Sequence, residues 1–305
     1  MRIVSLLPSA TEIIYALGLG EYLVARSHEC DYPPEAQSVQ TITYSLIPPD
    51  LPSRDIDRVV SETLMTHATL YGLNLELLQE LEPDLLITQA LCNVCAVSFD
   101  TVQEAVARLS PRTRVLNLQP TTLQGVIDTF QQVADAAGVG ERGHILVEQF
   151  QERIERVRQR TRDRLPVRVT FLEWLDPPFA CGHWTPELVQ LAGGMDGHAI
   201  AGQPSRRLDW HEVVEWQPEA IVIACCGFTV ERTLQDLPAL ERMPHWRELP
   251  AVRNGAVFIT DGNAYFSRPG PRLADSLEWL AEQLNLVAWL REQRHRAYSV
   301  LSRRR

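Results

Sequence analysis

Glu141–Arg164 reads ERGHILVEQFQERIERVRQRTRDR. It holds no proline, and no glycine after Gly143. Ile145, Leu146, Gln149, Phe150, Ile154 and Val157 recur at three-and-four spacing, with charged residues on the other faces. That period predicts an amphipathic helix. At 1.5 Å per residue it would be roughly 30 Å long, about the width of a small domain. The chain on either side of it repeats one pattern, so the helix is read as a spacer between two lobes. The division expected is an N-terminal α/β lobe over 1–140, the linking helix over 141–164 and a C-terminal α/β lobe over 165–305.

Outward from the helix, short apolar runs alternate with helical patterns. In the first half, Arg2–Leu7 predicts a strand. Ser9 and Glu12 have capping-box spacing, which starts a helix at Ser9. Further strands are expected at Leu23–Ala25, Asp84–Thr88 and Arg114–Leu118. Helices are expected at Asp55–Thr69, Leu75–Leu81, Phe99–Leu109 and Leu123–Ala137. In the second half, Val167–Leu172, Ala220–Ala224 and Val257–Thr260 predict strands, and Thr185-Pro186-Glu187 opens a helix with proline at its start. Trp210–Trp216 and Leu273–Arg294 predict helices. Alternating strands and helices define mainly parallel α/β sheets, one per lobe. In such sheets ligands bind beyond the carboxyl ends of the strands.

Composition narrows the function classes. The 305 residues are 45% apolar and 22% charged, with a formal charge of −10. That acidity disfavours nucleic acid and anionic membranes as main partners. No run of about 18 apolar residues predicts a membrane span. The N-terminal residues lack the pattern of a secretory signal. Cytoplasmic residence is therefore expected as the sequence is written, or periplasmic residence if a signal peptide has been removed. No GxSxG, P-loop, GxGxxG or complete hydrolytic triad occurs, so no catalytic residue is assigned.

All six cysteines fall in loops after strands: Cys30, Cys92, Cys95, Cys181, Cys225 and Cys226. His28 and His183 fall there too, with Glu29, Trp174, Phe179, Trp184, Phe228, Tyr265 and Arg268. If both sheets turn their carboxyl ends toward one cleft, these groups share it. Three readings of the Cys/His set stay open: ligands for a soft or borderline metal, a redox pair at Cys92-x-x-Cys95, or small buried residues at strand ends. His28, Cys30, Cys92, Cys95, Cys181 and His183 are the candidate metal-facing residues. Aromatic residues flanked by glycine and proline suit a flat or bulky ligand.

Several stretches together resemble the substrate-binding proteins of ABC importers for vitamin B12 and ferric siderophores, nearest to the cobalamin-binding branch. They are Ile3–Glu12, Asp31–Ala36, Gly72–Glu76 running into Glu82–Ile87, Pro177-Pro178-Phe179, Gly193-Gly194 and Arg268–Arg272. The resemblance spans nearly the whole chain. It implies two Rossmann-like lobes joined by one long helix, with a corrinoid or related metal chelate bound between them without turnover. It also implies an ABC importer as partner. Phe179 and Arg268 match ligand-facing positions, and Tyr265 falls beside an aromatic one. Glu76 matches a carboxylate that docks on the importer, and the second such carboxylate falls near His211 or Glu212. Where the family places first-lobe aromatics, this chain has Glu29, Leu70 and Gln89. The alternative is a cytosolic metalloprotein or thiol enzyme holding zinc or iron on the same fold.

Overall fold

The computed structural model describes residues 1–48, 51–66, 70–89 and 112–302. The expected helix over Phe99–Leu109, Cys92 and Cys95 lie outside the described residues. The chain divides into two compact units. One holds Met1–Phe150 with Arg268–Pro271, and the other Gln151–Ser267 with Arg272–Arg305. The predicted central helix runs Gly140–Thr161, and the unit boundary falls within it. Ser302 ends a second long helix, which begins at Leu273.

In the first unit, β1 (Ile3–Ser5) lies between β2 (Leu23–Arg26) and β5 (Leu85–Thr88), with β6 (Arg114–Asn117) beyond β5. All three pairings are parallel. β5 is buried along its whole length, as the Leu85-Leu86-Ile87-Thr88 run demands of a central parallel strand. A separate two-stranded antiparallel sheet pairs β3 (Thr43–Ser45) with β4 (Tyr71–Leu73).

Helix α1 is Pro8–Ala16, one residue earlier than expected. The capping box is not formed: Leu7 is the N-cap, and proline occupies the first turn. Ser9 and Glu12 are instead buried within the helix, each 3% exposed. Asn74 caps α3 (Leu75–Leu81; α2 is Ser53–Thr66) by accepting the Leu77 N–H, and Thr122 caps α4 (Leu123–Ala136) through Gly125.

The second unit is built on β7 (Val167–Leu175), which extends three residues past its expected end. β8 (Pro178–Ala180) folds back antiparallel on its second half, and β9 (Gly194–Asp196) runs parallel to its first half. On the other side β11 (Ala220–Ile223) pairs with β7, and β12 (Val257–Ile259) with β11, both parallel. β10 (Arg206–Arg207) extends β8 at the edge. Trp174 and Phe179, expected in a loop after the strand, therefore lie in a hairpin that turns at Asp176-Pro177. Its alternation was obscured because one extra residue shifts the register between Leu172 and Trp174.

Candidate functional site

At the carboxyl edge of the first sheet, β2 leads into Ser27-His28-Glu29-Cys30. A hydroxyl network fixes this turn. Thr43 Oγ1 accepts the His28 backbone N–H (3.0 Å), donates to Ser27 Oγ (3.1 Å) and lies 2.7 Å from His28 Nδ1. The His28 ring packs against Tyr71, with centroids 5.2 Å apart. Cys30 is 1% exposed, with Thr11 Oγ1 at 3.0 Å. Burial pushes its thiol up to about 11, against the opposing hydrogen bond from Thr11. A thiol held protonated is a poor metal ligand.

Arg268 belongs to this unit and is 7% exposed. Its guanidinium makes a bidentate pair with Asp31, donates to the Glu29 carbonyl (3.0 Å) and stands 3.7 Å from Glu12. The group expected to hold a ligand is thus engaged in an internal ion cluster. Leu70 and Gln89 are also buried, at 3% and 6% exposed.

Tyr44 escaped the sequence reading. Its side chain is 56% exposed, and its ring lies over Gly72, where an added Cβ would come within 2.1 Å of it. Ile42 and Thr43 are both buried and Tyr44 and Ser45 both exposed, so the stretch offered no period-two signal.

In the second unit, Trp174 stands near the end of β7 and Phe228 in the turn after β11. Their rings are 4.8 Å apart, and Arg232 lies 4.2 Å from the Phe228 centroid. Both aromatics are half-buried, as are Phe179 and Tyr265. Arg207 approaches the Phe179 ring at 5.7 Å. Trp184 differs: it is 6% exposed, and its indole N–H donates to the Phe266 carbonyl at 2.7 Å. It is a core residue rather than a ligand face.

His183 stacks on Trp184 at 5.6 Å and has a left-handed backbone (φ +52°). Its N–H donates to the Gln203 carbonyl (2.6 Å), and its carbonyl accepts from Gly202 (2.9 Å). Burial lowers its pKa, so the imidazole is held toward the neutral form. Cys181 is buried, and burial drives its thiol well above the ordinary range, with Asp196 and Glu173 adding to the effect. Cys225 is pushed up to about 12 by burial, while Cys226 is exposed. Among the described residues no group of three or more His, Cys, Asp or Glu side chains is placed to hold a metal ion. Of the expected metal set, His28, Cys30, Cys181 and His183 join no such group, and Cys92 and Cys95 lie outside the described residues.

His198 is 6% exposed, with Nε2 3.0 Å from Thr170 Oγ1. Asp196 accepts the N–H groups of Phe171, His198 and Ala199, tying β9 to β7.

Of the two expected docking carboxylates, Glu76 is exposed in the first turn of α3. Glu212 is engaged in a capping box with Asp209 and in an ion pair with Arg206 at 2.6 Å. Hydrogen bonds from Arg206 hold its carboxyl down at about 2, against some desolvation. A carboxyl with a folded-state pKa below its unfolded value contributes stability above about pH 4.5. That contribution fades as pH falls toward 2. Glu212→Gln is expected to destabilise by no more than about 1 kcal/mol at pH 7, because the pair is largely exposed, and by less near pH 2. Urea denaturation at both pH values checks this; an equal loss at both would contradict it.

Two α/β units divided within one long helix match the two-lobed fold of solute-binding proteins. The sequence profile described as periplasmic binding protein matches residues 3–264, and the chain belongs to that family. A vitamin B12-binding protein of Vibrio cholerae serotype O1 (strain ATCC 39541 / Classical Ogawa 395 / O395) is 28% identical over 293 residues, covering 94% of this chain and 90% of that one. The solved periplasmic heme-binding protein of Roseiflexus sp. RS-1 in apo form superposes with a TM-score of 0.71 at 24% identity, covering 94% of this chain and 99% of that one. The solved periplasmic vitamin B12-binding protein of Vibrio cholerae gives 0.67 at 24% identity, covering 94% and 97%. At that identity the two structures establish the fold. The family description is periplasmic, and the cytoplasmic expectation drawn from the N-terminal residues finds no support in it. Among the described residues no helix is long and apolar enough to cross a membrane.

Proposed function

We propose that this protein binds a corrinoid or a related tetrapyrrole metal chelate, without turnover, and delivers it to an ABC importer. One observation carries the reading. Trp174 near the end of β7, Phe179 within β8, Phe228 after β11 and Tyr265 after β12 stand half-buried in the second unit, where a flat ligand can stack on them. The likeness over 94% of the chain to vitamin B12-binding proteins supports the choice of ligand class. Glu76, exposed on α3, is the docking carboxylate of this proposal.

The alternative of a metalloprotein or thiol enzyme has no observation in its favour among the described residues. The thiols of Cys30, Cys181 and Cys225 are buried and protonated.

Calorimetric titration with cyanocobalamin, diaquacobinamide and ferric haem tests the proposal. Saturable binding of at least one is expected. Trp174→Ala combined with Phe228→Ala is expected to weaken it by about 2 kcal/mol or more, roughly 30-fold, as for the central aromatics of an interface. No saturable heat with any of the three would sink it.

A further inference from the structure

We propose that the surface where the central helix ends against the C-terminal helix is a membrane contact, and that its partner is a bilayer bearing anionic lipid. This surface is independent of the cargo. All the residues that form it belong to the second unit.

Arginine is distributed unevenly along the chain. Arg156–Arg164 holds five arginines and one acid, Asp163, and Arg294–Arg305 holds five arginines and no acid. Both segments are strongly basic in a chain whose formal charge is −10. That total disfavours an anionic partner for the molecule as a whole. Salt, however, screens exposed charges beyond a Debye length of about 8 Å at physiological ionic strength, so a partner feels the local surface.

The fold brings the two segments together. The central helix ends at Thr161, and the C-terminal helix runs to Ser302. Arg291 ties them: its Nη2 donates to the Leu165 carbonyl at 2.6 Å, and its Nη1 to the Pro166 carbonyl at 3.1 Å. Arg291 itself pairs with Glu219 at 3.3 Å, so it serves as a structural tie. Arg164 and Leu165 share a shallow groove with Leu284, Asn285 and Ala288 of the C-terminal helix. The second basic segment begins within a turn of Arg291.

Arg156, Arg158, Arg160, Arg162 and Arg164 are all exposed. Arg156 stands 4.0 Å from Glu152, Arg158 3.7 Å from Glu155 and Arg162 3.4 Å from Asp163. Exposed pairs of this kind hold weakly, and a lipid phosphate can compete for the guanidinium. Glu282 and Glu292 are exposed on the C-terminal helix, and the arginines outnumber them.

Charge alone would suit nucleic acid as well. The apolar residues decide between them. Leu165 is 77% exposed, Trp289 55% and Leu286 49%. Leu286 and Trp289 stand three apart on one helix and share a face. At a bilayer an indole settles at headgroup level, leucine enters the acyl boundary and arginine meets anionic headgroups. Duplex nucleic acid offers the leucines no apolar layer to enter. The contact is reversible and needs no spanning helix.

Sedimentation of the full chain with vesicles tests this. Vesicles of phosphatidylcholine with about 30 mol% phosphatidylglycerol are expected to bind the wild type at least roughly 10-fold more tightly than phosphatidylcholine alone, and added salt to weaken that binding. The variant Arg160→Gln, Arg162→Gln, Arg164→Gln, changed only at exposed positions, is expected to bind roughly 10-fold more weakly or worse. Brominated acyl chains are expected to quench part of the wild-type tryptophan emission, and Trp289→Phe to lose that quenching, which adsorption by charge alone would not produce. No binding to the anionic vesicles, binding unchanged in the arginine variant, or quenching unchanged in Trp289→Phe would overturn the inference. So would duplex DNA bound more tightly than the vesicles, or a dimer of the free chain that the arginine variant abolishes. None of these outcomes touches the cargo reading, which the calorimetric titration tests separately.

Discussion

Arg268→Met is expected to lower the free energy of unfolding by about 3–5 kcal/mol. Arg268 is 7% exposed, and Glu12, 3% exposed, lies 3.7 Å from it. Methionine fills a similar volume, so the loss comes from charge rather than from a cavity. A cation 3.7 Å away is withdrawn from a buried carboxylate, while the Asp31 side chain and the Glu29 carbonyl each lose a donor. Removing the Glu12 charge as well, in Glu12→Gln with Arg268→Met, is expected to recover part of the loss, because the two residues are coupled. Urea denaturation of the wild type and the three variants measures both effects. A loss below about 1 kcal/mol in the single variant, or no recovery in the double, would show that the cluster is not what holds this segment.

Trp184→Ala is expected to cost about 3–5 kcal/mol, in the range of other buried large-to-small changes. Two terms combine. The indole leaves a void in the core, and the Phe266 carbonyl loses its 2.7 Å donor. Phe266 has a left-handed backbone (φ +68°) and packs edge-on against Phe171 at 4.9 Å, so its turn is locally demanding. Ligand affinity, measured well below the lowered melting temperature, is expected to stay near that of wild type. A large loss of affinity with unchanged stability would return Trp184 to the ligand face.

The α/β character was legible because it depends on local pattern. Leu85–Thr88 and Ala220–Ile223 are continuous apolar runs, and each is a fully buried strand. Gly140–Thr161 announced itself by period alone. What local pattern misses is pairing between distant segments. Arg206–Arg207 and Gly194–Asp196 are strands only because β8 and β7 offer them an edge. Val230–Glu241 was overlooked as a helix because Pro238 interrupts it.

The candidate site shows the same limit. Sequence placed Trp174 and Phe228 after neighbouring strands, and they meet. It gave Arg268 and Trp184 the same status, yet both are consumed by partners far along the chain, Asp31 and Phe266. Tyr44 stayed hidden because the tolerance of its exposed ring depends on Gly72, 28 positions away in the sequence.

The extra residue in β7 has a consequence for how such proteins diverge. Leu172 pairs with Ala180 and Trp174 with Phe179, so Glu173 is the uncounted position on that strand. Side chains on a strand alternate faces, and losing one residue exchanges them. Deletion of Glu173 would straighten the pairing and turn Trp174 off Phe228, without substituting any residue that touches the ligand of the proposal. A structure of the deletion variant would show the two rings parted; rings still in contact would contradict the point. Descendants of such a chain can therefore change cargo abruptly, through a single in-frame loss, as well as gradually through replaced side chains.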